Sequence, residues 1–231
     1  MVIGLAARAG AWAGIAGPAL FTGAWLASSL RQTGYPAADI QVSGLAAPDA
    51  RDPWIMIAGF LVLGGCGVAF GAALHDALGG RGRAGPGPRL IQGAGVLTVA
   101  AGLLRRDHML LASGRLSWHN HAHDAISAVI YVDLVVAQLL LARRFGRDAA
   151  DPGWRKWRPW LLAGAGVTAG LLTAFAAGTS APDAGILQRV AVTVPQAVIT
   201  AIAIRLTRRS LTRLRGVPRQ GLRPLSPWKA N

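Results

Sequence analysis

A recurrence of apolar stretches about 20 residues long constrains this chain more than any other feature. Segments 9–30, 53–75, 90–111, 124–142, 159–178 and 186–204 are dominated by Ala, Gly, Leu, Val and Ile. About 20 such residues make a helix that crosses the hydrocarbon core of a bilayer. The expected fold is therefore all-α, an integral membrane bundle of six transmembrane helices. The third segment is the weakest. Its clean apolar run ends at Leu104, and it reaches spanning length only if the helix carries Arg105, Arg106, Asp107 and His108 onward to Met109–Leu111.

The charges fall between these segments. The chain has 24 Lys+Arg against 10 Asp+Glu, a net charge of +14. A basic nucleic-acid binder spreads such charge over a soluble face, and six spans leave no soluble domain for one, so no nucleic-acid partner is expected. Numbering the loops alternately from a cytoplasmic N-terminus puts 18 basic residues inside and 6 outside. By the positive-inside rule both termini are cytoplasmic. The expected division is a transmembrane domain over 1–204 and a basic cytoplasmic tail over 205–231, able to touch anionic headgroups. Trp12, Trp154, Trp157 and Trp160 fall near inner ends, and Trp25, Trp54 and Trp118 near outer ends, where amphipathic rings favour the headgroup level. Segment one exceeds the apolar core of a signal peptide and has no basic cluster before it, so it is expected to stay as a span. The single cysteine, Cys66, excludes an internal disulfide framework and reads as a packing residue.

Small residues four apart let helix backbones approach closely. Gly10/Gly14, Gly67/Gly71 and Gly166/Gly170 have that spacing. Polar residues inside apolar helices are costly and therefore informative. Arg189, Thr193, Gln196 and Thr200 share one stripe of the last segment; Asp124, Ser127, Tyr131 and Gln138 share one of the fourth. Such stripes serve interhelical hydrogen bonding or line a polar cavity opening outward. Asp133 lies opposite Asp124, about 14 Å further along, near mid-membrane, where it is either a neutral acid bonded to a neighbour or part of a proton relay.

The densest chemistry is Arg105-Arg106-Asp107-His108 followed by Trp118-His119-Asn120-His121-Ala122-His123-Asp124. Four of the five histidines are here, and Arg189 enters its segment at the same depth. A helical 118–124 puts His119 and His123 one turn apart, able to share a metal ion, and turns His121 away; a zinc-like site would then need Asp107, His108 or Asp124 as well. Three other chemistries suit the same residues. Arg106 and Arg189 can hold a phosphate or carboxylate. Asp107, His119, His123 and Asp124 can act as acid–base groups. The cluster can also be an interfacial set of ion pairs.

An ordered set of short runs resembles a known bacterial membrane family. The runs are Gly17-Pro18-Ala19-Leu20-Phe21, Asp39-Ile40-Gln41-Val42-Ser43-Gly44-Leu45, Gly59-Phe60-Leu61, Arg89-Leu90, Gly102…Asp107, His119–His123 and Gly185-Ile186-Leu187-Gln188-Arg189. The family is catalogued as domain of unknown function 998, and the resemblance covers roughly 10–205. It implies a six-helix integral membrane protein and brings no established reaction. Its matching positions, Ser43, Asp107, the 119–123 histidines and Arg189, belong mostly to the outer face.

The sequence thus describes a multi-pass protein of the cell membrane. One expectation is an enzyme of cyclase or hydrolase type that acts on an isoprenoid or lipid. Asp107, His119, His123 and Asp124 would be its catalytic groups, and Arg106, Tyr131, Arg189 and Gln196 its substrate contacts. A divalent metal on His119 and His123 is the cofactor it could carry. The alternatives are a non-catalytic lipid-binding subunit and a proton-coupled transporter using Asp133. Membrane lipids and an apolar small molecule are the expected partners; the sequence leaves the oligomeric state open.

Overall fold

The computed structural model describes residues 5–80, 82–110, 115–147, 152–178 and 183–215. Seven helices follow in order: α1 (Leu5–Arg31), α2 (Pro53–Ala77), α3 (Gly87–Leu103), α4 (Trp118–Gly146), the single turn α5 (Pro152–Arg155), α6 (Arg158–Ala177) and α7 (Ala184–Arg215). A short 3-10 turn, Val42–Ala46, lies between α1 and α2. No strand occurs among the described residues. Among the described residues five helices are long and apolar enough to cross a membrane: α1, α2, α4, α6 with the turn before it, and α7.

The third segment departs from expectation. Its helix has 17 residues and stops at Leu103, so Arg105–His108 do not extend it and Leu111 lies outside the described residues. The stop is built. A helix leaves its last carbonyls unpaired, and here the His123 side chain of α4 supplies a donor: Nδ1 lies 2.9 Å from both the Ala101 and the Leu104 oxygens. The chain then turns away, leaving two arginines, an aspartate and a histidine beyond the helix end.

The long helices form a closed ring. Each packs antiparallel on the next, α1 on α2, α2 on α3, α3 on α4, α4 on α6 and α6 on α7, and α7 returns to α1. Two of the three glycine pairs work as expected. A β-carbon at Gly10 would stand 2.7 Å from the Ala69 oxygen, and one at Gly71 would stand 2.7 Å from the Pro88 oxygen. The tightest crossing joins Gly64 of α2 to Gly95 of α3, each facing the other's carbonyl. The Gly166/Gly170 pair does not make a helix contact: nothing stands within 4 Å of a side chain added at either.

The ring is filled at one end only. The lower end, where α2 meets α3, is plugged by Phe70, Leu74, Leu141, Phe145, Leu161 and Ile202, all fully buried. Trp154 belongs to this plug and is 2% exposed, stacked on Phe145 and with the Arg205 guanidinium 4.5 Å from its ring centroid; it is not an interfacial ring as its position in the sequence implied. Among the described residues Trp12, Trp54, Trp118 and Trp160 are the exposed ones. At the upper end the 32–52 loop folds over the ring, and every residue from Ile40 to Ala47 is buried. The basic tail is helical to Arg215; residues 216–231 lie outside the described residues.

Candidate functional site

The corner between α3 and α4 is a knot of short hydrogen bonds. Ser117 caps α4 by accepting from the Asn120 amide at 3.3 Å. Asp107 in turn accepts from the Ser117 amide at 2.6 Å and from its hydroxyl at 2.5 Å. Those bonds, the hydroxyl's first, hold the Asp107 carboxyl below its ordinary value. Asn120 is 1% exposed and ties the corner down: its oxygen accepts from the Asp107 amide and its amide donates to Asp124 at 2.9 Å. Asp107 therefore organises the start of α4, at the end of a helix where a negative charge is favoured.

Beside this corner, and between the lid and the plug, lies a cavity of about 450 Å³. Phe21 of α1, Phe60 of α2, Leu172 and Phe175 of α6 and Val192 of α7 give it apolar walls. Its polar groups converge from separate elements: Gln41 and Ser43 of the lid, Arg106 after α3, His123, Asp124, Ser127 and Tyr131 of α4, and Gln188 of α7. Successive turns of α4 deliver Asp124, Ser127 and Tyr131 to the wall, so that stripe lines a cavity as one of its two expected roles required. Gln138, further down the stripe, faces Gly164 of α6 instead.

Arg106 is the site's principal charge. Its side chain is 6% exposed. One guanidinium nitrogen donates to the Gln41 side-chain oxygen. Nε is buried and makes no hydrogen bond, and its nearest carboxylate oxygen is that of the half-exposed Asp124 at 3.9 Å. Burial draws the guanidinium below its ordinary value, and Asp124 and Asp107 pull the other way; an arginine keeps its charge regardless.

His123 is buried, 3% exposed, with its ring edge-on to Phe60 at 6.2 Å. Backbone carbonyls only accept, so the Nδ1 that meets two of them carries the proton. The neutral ring then keeps Nε2 as its acceptor.

The other expected site residues sit elsewhere. His119 is exposed and stacked on Trp118 at 3.9 Å. Among the described residues no group of three His, Cys, Asp or Glu side chains is gathered to hold a metal. The His119/His123 pair thus has no third ligand there, and one of its two rings is committed to the α3 terminus.

Arg189 does not line the cavity. It donates to the Ala37 and Ile40 oxygens at 2.6 and 2.9 Å and to the Tyr35 hydroxyl at 2.7 Å, and lies 5.4 Å over Trp25. It pins the lid to α7 and α1. Gln196 is buried on α7 outside the cavity, and Thr200 of the same stripe donates to the Gly14 oxygen of α1. The α7 stripe therefore joins helices. Asp133 stands on the α3 side of α4, its oxygen 3.8 Å from where a side chain on Gly93 would begin.

Gln41 and Gln188 were not singled out as site residues by sequence reasoning. Gln188 accepts from the Val42 amide at 2.5 Å and so fixes the lid that presents Gln41 to Arg106. The available signal was their presence in two of the runs on which the family resemblance rests.

Comparison with curated proteins and with solved structures returns no match. A family model described as protein of unknown function (DUF998) matches residues 15–205. With its helical ring and its five spanning-length helices, this chain is an integral membrane protein that belongs to the DUF998 family.

Proposed function

We propose that this protein binds a membrane amphiphile with an anionic head in the cavity under the lid. Arg106 holds the head, and the aromatic and aliphatic walls hold the apolar part. One observation carries the reading: a guanidinium whose buried Nε makes no hydrogen bond lines a largely apolar cavity. A buried charge is costly until it is paired and hydrogen-bonded, and a phosphate or carboxylate would complete it. The volume is in the range of small-molecule sites. The plug below the cavity supports binding over conduction through the ring.

The topology in this reading has six spans. The 17 residues of α3 extend about 25 Å, and its place between α2 and α4 makes it the sixth member of the ring. With the 18 to 6 split of basic residues, both termini are cytoplasmic and the lid faces outward in the cell membrane. Residues 1–204 then form the transmembrane domain and 205–231 the cytoplasmic tail.

A second reading, favoured by His123, is catalysis on the bound lipid or isoprenoid. Its Nε2 is the basic nitrogen of a ring held in one tautomer, and Asp124 follows it on the same cavity wall. Arg106 and Tyr131 would orient the substrate. Asp107 and Arg189 would then be positioning residues for α4 and for the lid, and His119 would lie outside the reaction.

The test is lipid analysis by native mass spectrometry of purified wild type and Arg106→Met. The expected result is a stoichiometric anionic lipid in the wild type that is lost from the variant. Equal retention of the same lipid by both would overturn the reading. Turnover of that lipid by the wild type but not by Asp124→Asn, with binding intact, would establish the catalytic version.

A further inference from the structure

The lid closes the cavity above and the plug closes it below, which leaves the side. No residue of α4 from Asp124 to Val136 is buried, and on α6 the buried residues are Leu161, Ala165 and Thr168, with none beyond Thr168. The two helices pack where Gln138 meets Gly164, and beyond Thr168 neither brings a buried residue to their seam. The facing residues Ala128 and Tyr131 of α4 and Leu172, Phe175 and Ala176 of α6 all line the same cavity. Ala128 and Ala176 are exposed as well, so the cavity wall continues onto the outer surface of the ring at membrane depth.

We infer that the cavity opens sideways into the bilayer through the seam between the upper halves of α4 and α6, and that one hydrocarbon chain of an anionic lipid occupies that seam. This rests on the amphiphile-binding reading and adds the source of the ligand. Two further observations fit a lipid rather than a dissolved anion. The cavity is too small to enclose a whole two-chain lipid, so a bound lipid must protrude, and the seam is the apolar exit among the described residues. Below Asp124 the Ser127 and Tyr131 side chains succeed one another on the α4 wall, and the Tyr131 hydroxyl has no hydrogen-bond partner among the described residues. They stand where the polar linkage between head and chain would pass, with Arg106 at the head end.

The experiment uses the full chain in nanodiscs that contain phosphatidylglycerol with a photoreactive acyl chain. Adducts are mapped by mass spectrometry. The control is Val96, a 58% exposed residue on α3 that meets lipid on a different face. The expected result is adducts concentrated on Ala128, Tyr131, Leu172 and Phe175, roughly tenfold over Val96, as a site about 1.4 kcal/mol better than bulk lipid would give. Ala128→Trp and, separately, Ala176→Trp should abolish that excess and leave labelling at Val96 unchanged. Adducts spread evenly over the ring overturn the seam. If the wild type holds phosphatidylglycerol through Arg106 but labels evenly, the route fails and the binding reading stands. If inorganic phosphate alone binds at Arg106, with the same affinity in both tryptophan variants, and the lipid does not bind, the ligand is a dissolved anion and the seam is not its path.

Discussion

Gly95→Ala and Gly170→Ala are the same chemical change inside two apolar helices, and the structure predicts opposite outcomes. A β-carbon at Gly95 would stand 2.7 Å from the Gly64 oxygen and 2.8 Å from the Val68 nitrogen. An unstrained carbon–oxygen contact is about 3.3–3.6 Å, so α2 and α3 must separate by roughly 0.6–0.9 Å. A gap of that size forfeits about a quarter to a half of each affected dispersion contact, and overpacking of this kind costs about 1–3 kcal/mol. For a chain of this length each kcal/mol moves the melting temperature by roughly 2–4 °C. Gly95→Ala should therefore lower Tm by roughly 2–12 °C. Gly170→Ala meets nothing within 4 Å and gains up to about 1 kcal/mol of helix propensity, so its Tm should hold or rise slightly. Thermal unfolding in detergent, followed by fluorescence-detected size exclusion, measures both. If the two variants melt together, or if Gly95→Ala melts higher, the close α2–α3 approach is wrong.

Two more outcomes follow from the upper end of the ring. The Asp107 carboxyl is held below its ordinary value by Ser117, so its contribution to stability is complete above its unfolded value, near pH 4, and is lost as pH falls through the folded one. Asp107→Asn should flatten the acid side of a Tm–pH curve, and Ser117→Ala should also lose about 1 kcal/mol at neutral pH as a missing helix cap; an unchanged acid limb in both would contradict the capping arrangement. Arg189→Lys keeps the charge but loses the fork that meets two carbonyls, a tyrosine hydroxyl and an indole face. Hydrogen exchange across 35–50 should then speed up while α2 and α3 are unaffected, and equal protection of the loop in both proteins would show that Arg189 does not pin it.

The positions of the apolar helices could be read directly because burial in lipid imposes a length and a composition on each segment. The polar cluster at the facing ends of α3 and α4 was legible for the same reason: charge tolerated between spans has to sit at their ends. Arg106, His123 and Asp124 were named from that argument and Tyr131 from the polar stripe of its helix, and the four share one cavity. Arg189, named from both arguments, and Gln196, named from its stripe, do not line it. A helical wheel gives direction around one helix but not which neighbour lies there, and α7 turns its stripe toward α1.

The sequence by itself determined that this chain is a helical membrane protein, where its long apolar helices lie and which end gathers its polar cluster, since these depend on local hydropathy and on charge order along the chain. Only the tertiary structure decided that α3 stops at Leu103, because the donor that closes it comes from His123, twenty residues on. It also decided that Gly95 is crowded and Gly170 free, that Trp154 is core, and that Gln41 and Gln188 belong to the site. Each of these is a meeting between residues far apart in the chain, set by which helix faces which around the ring, and no local pattern encodes that pairing.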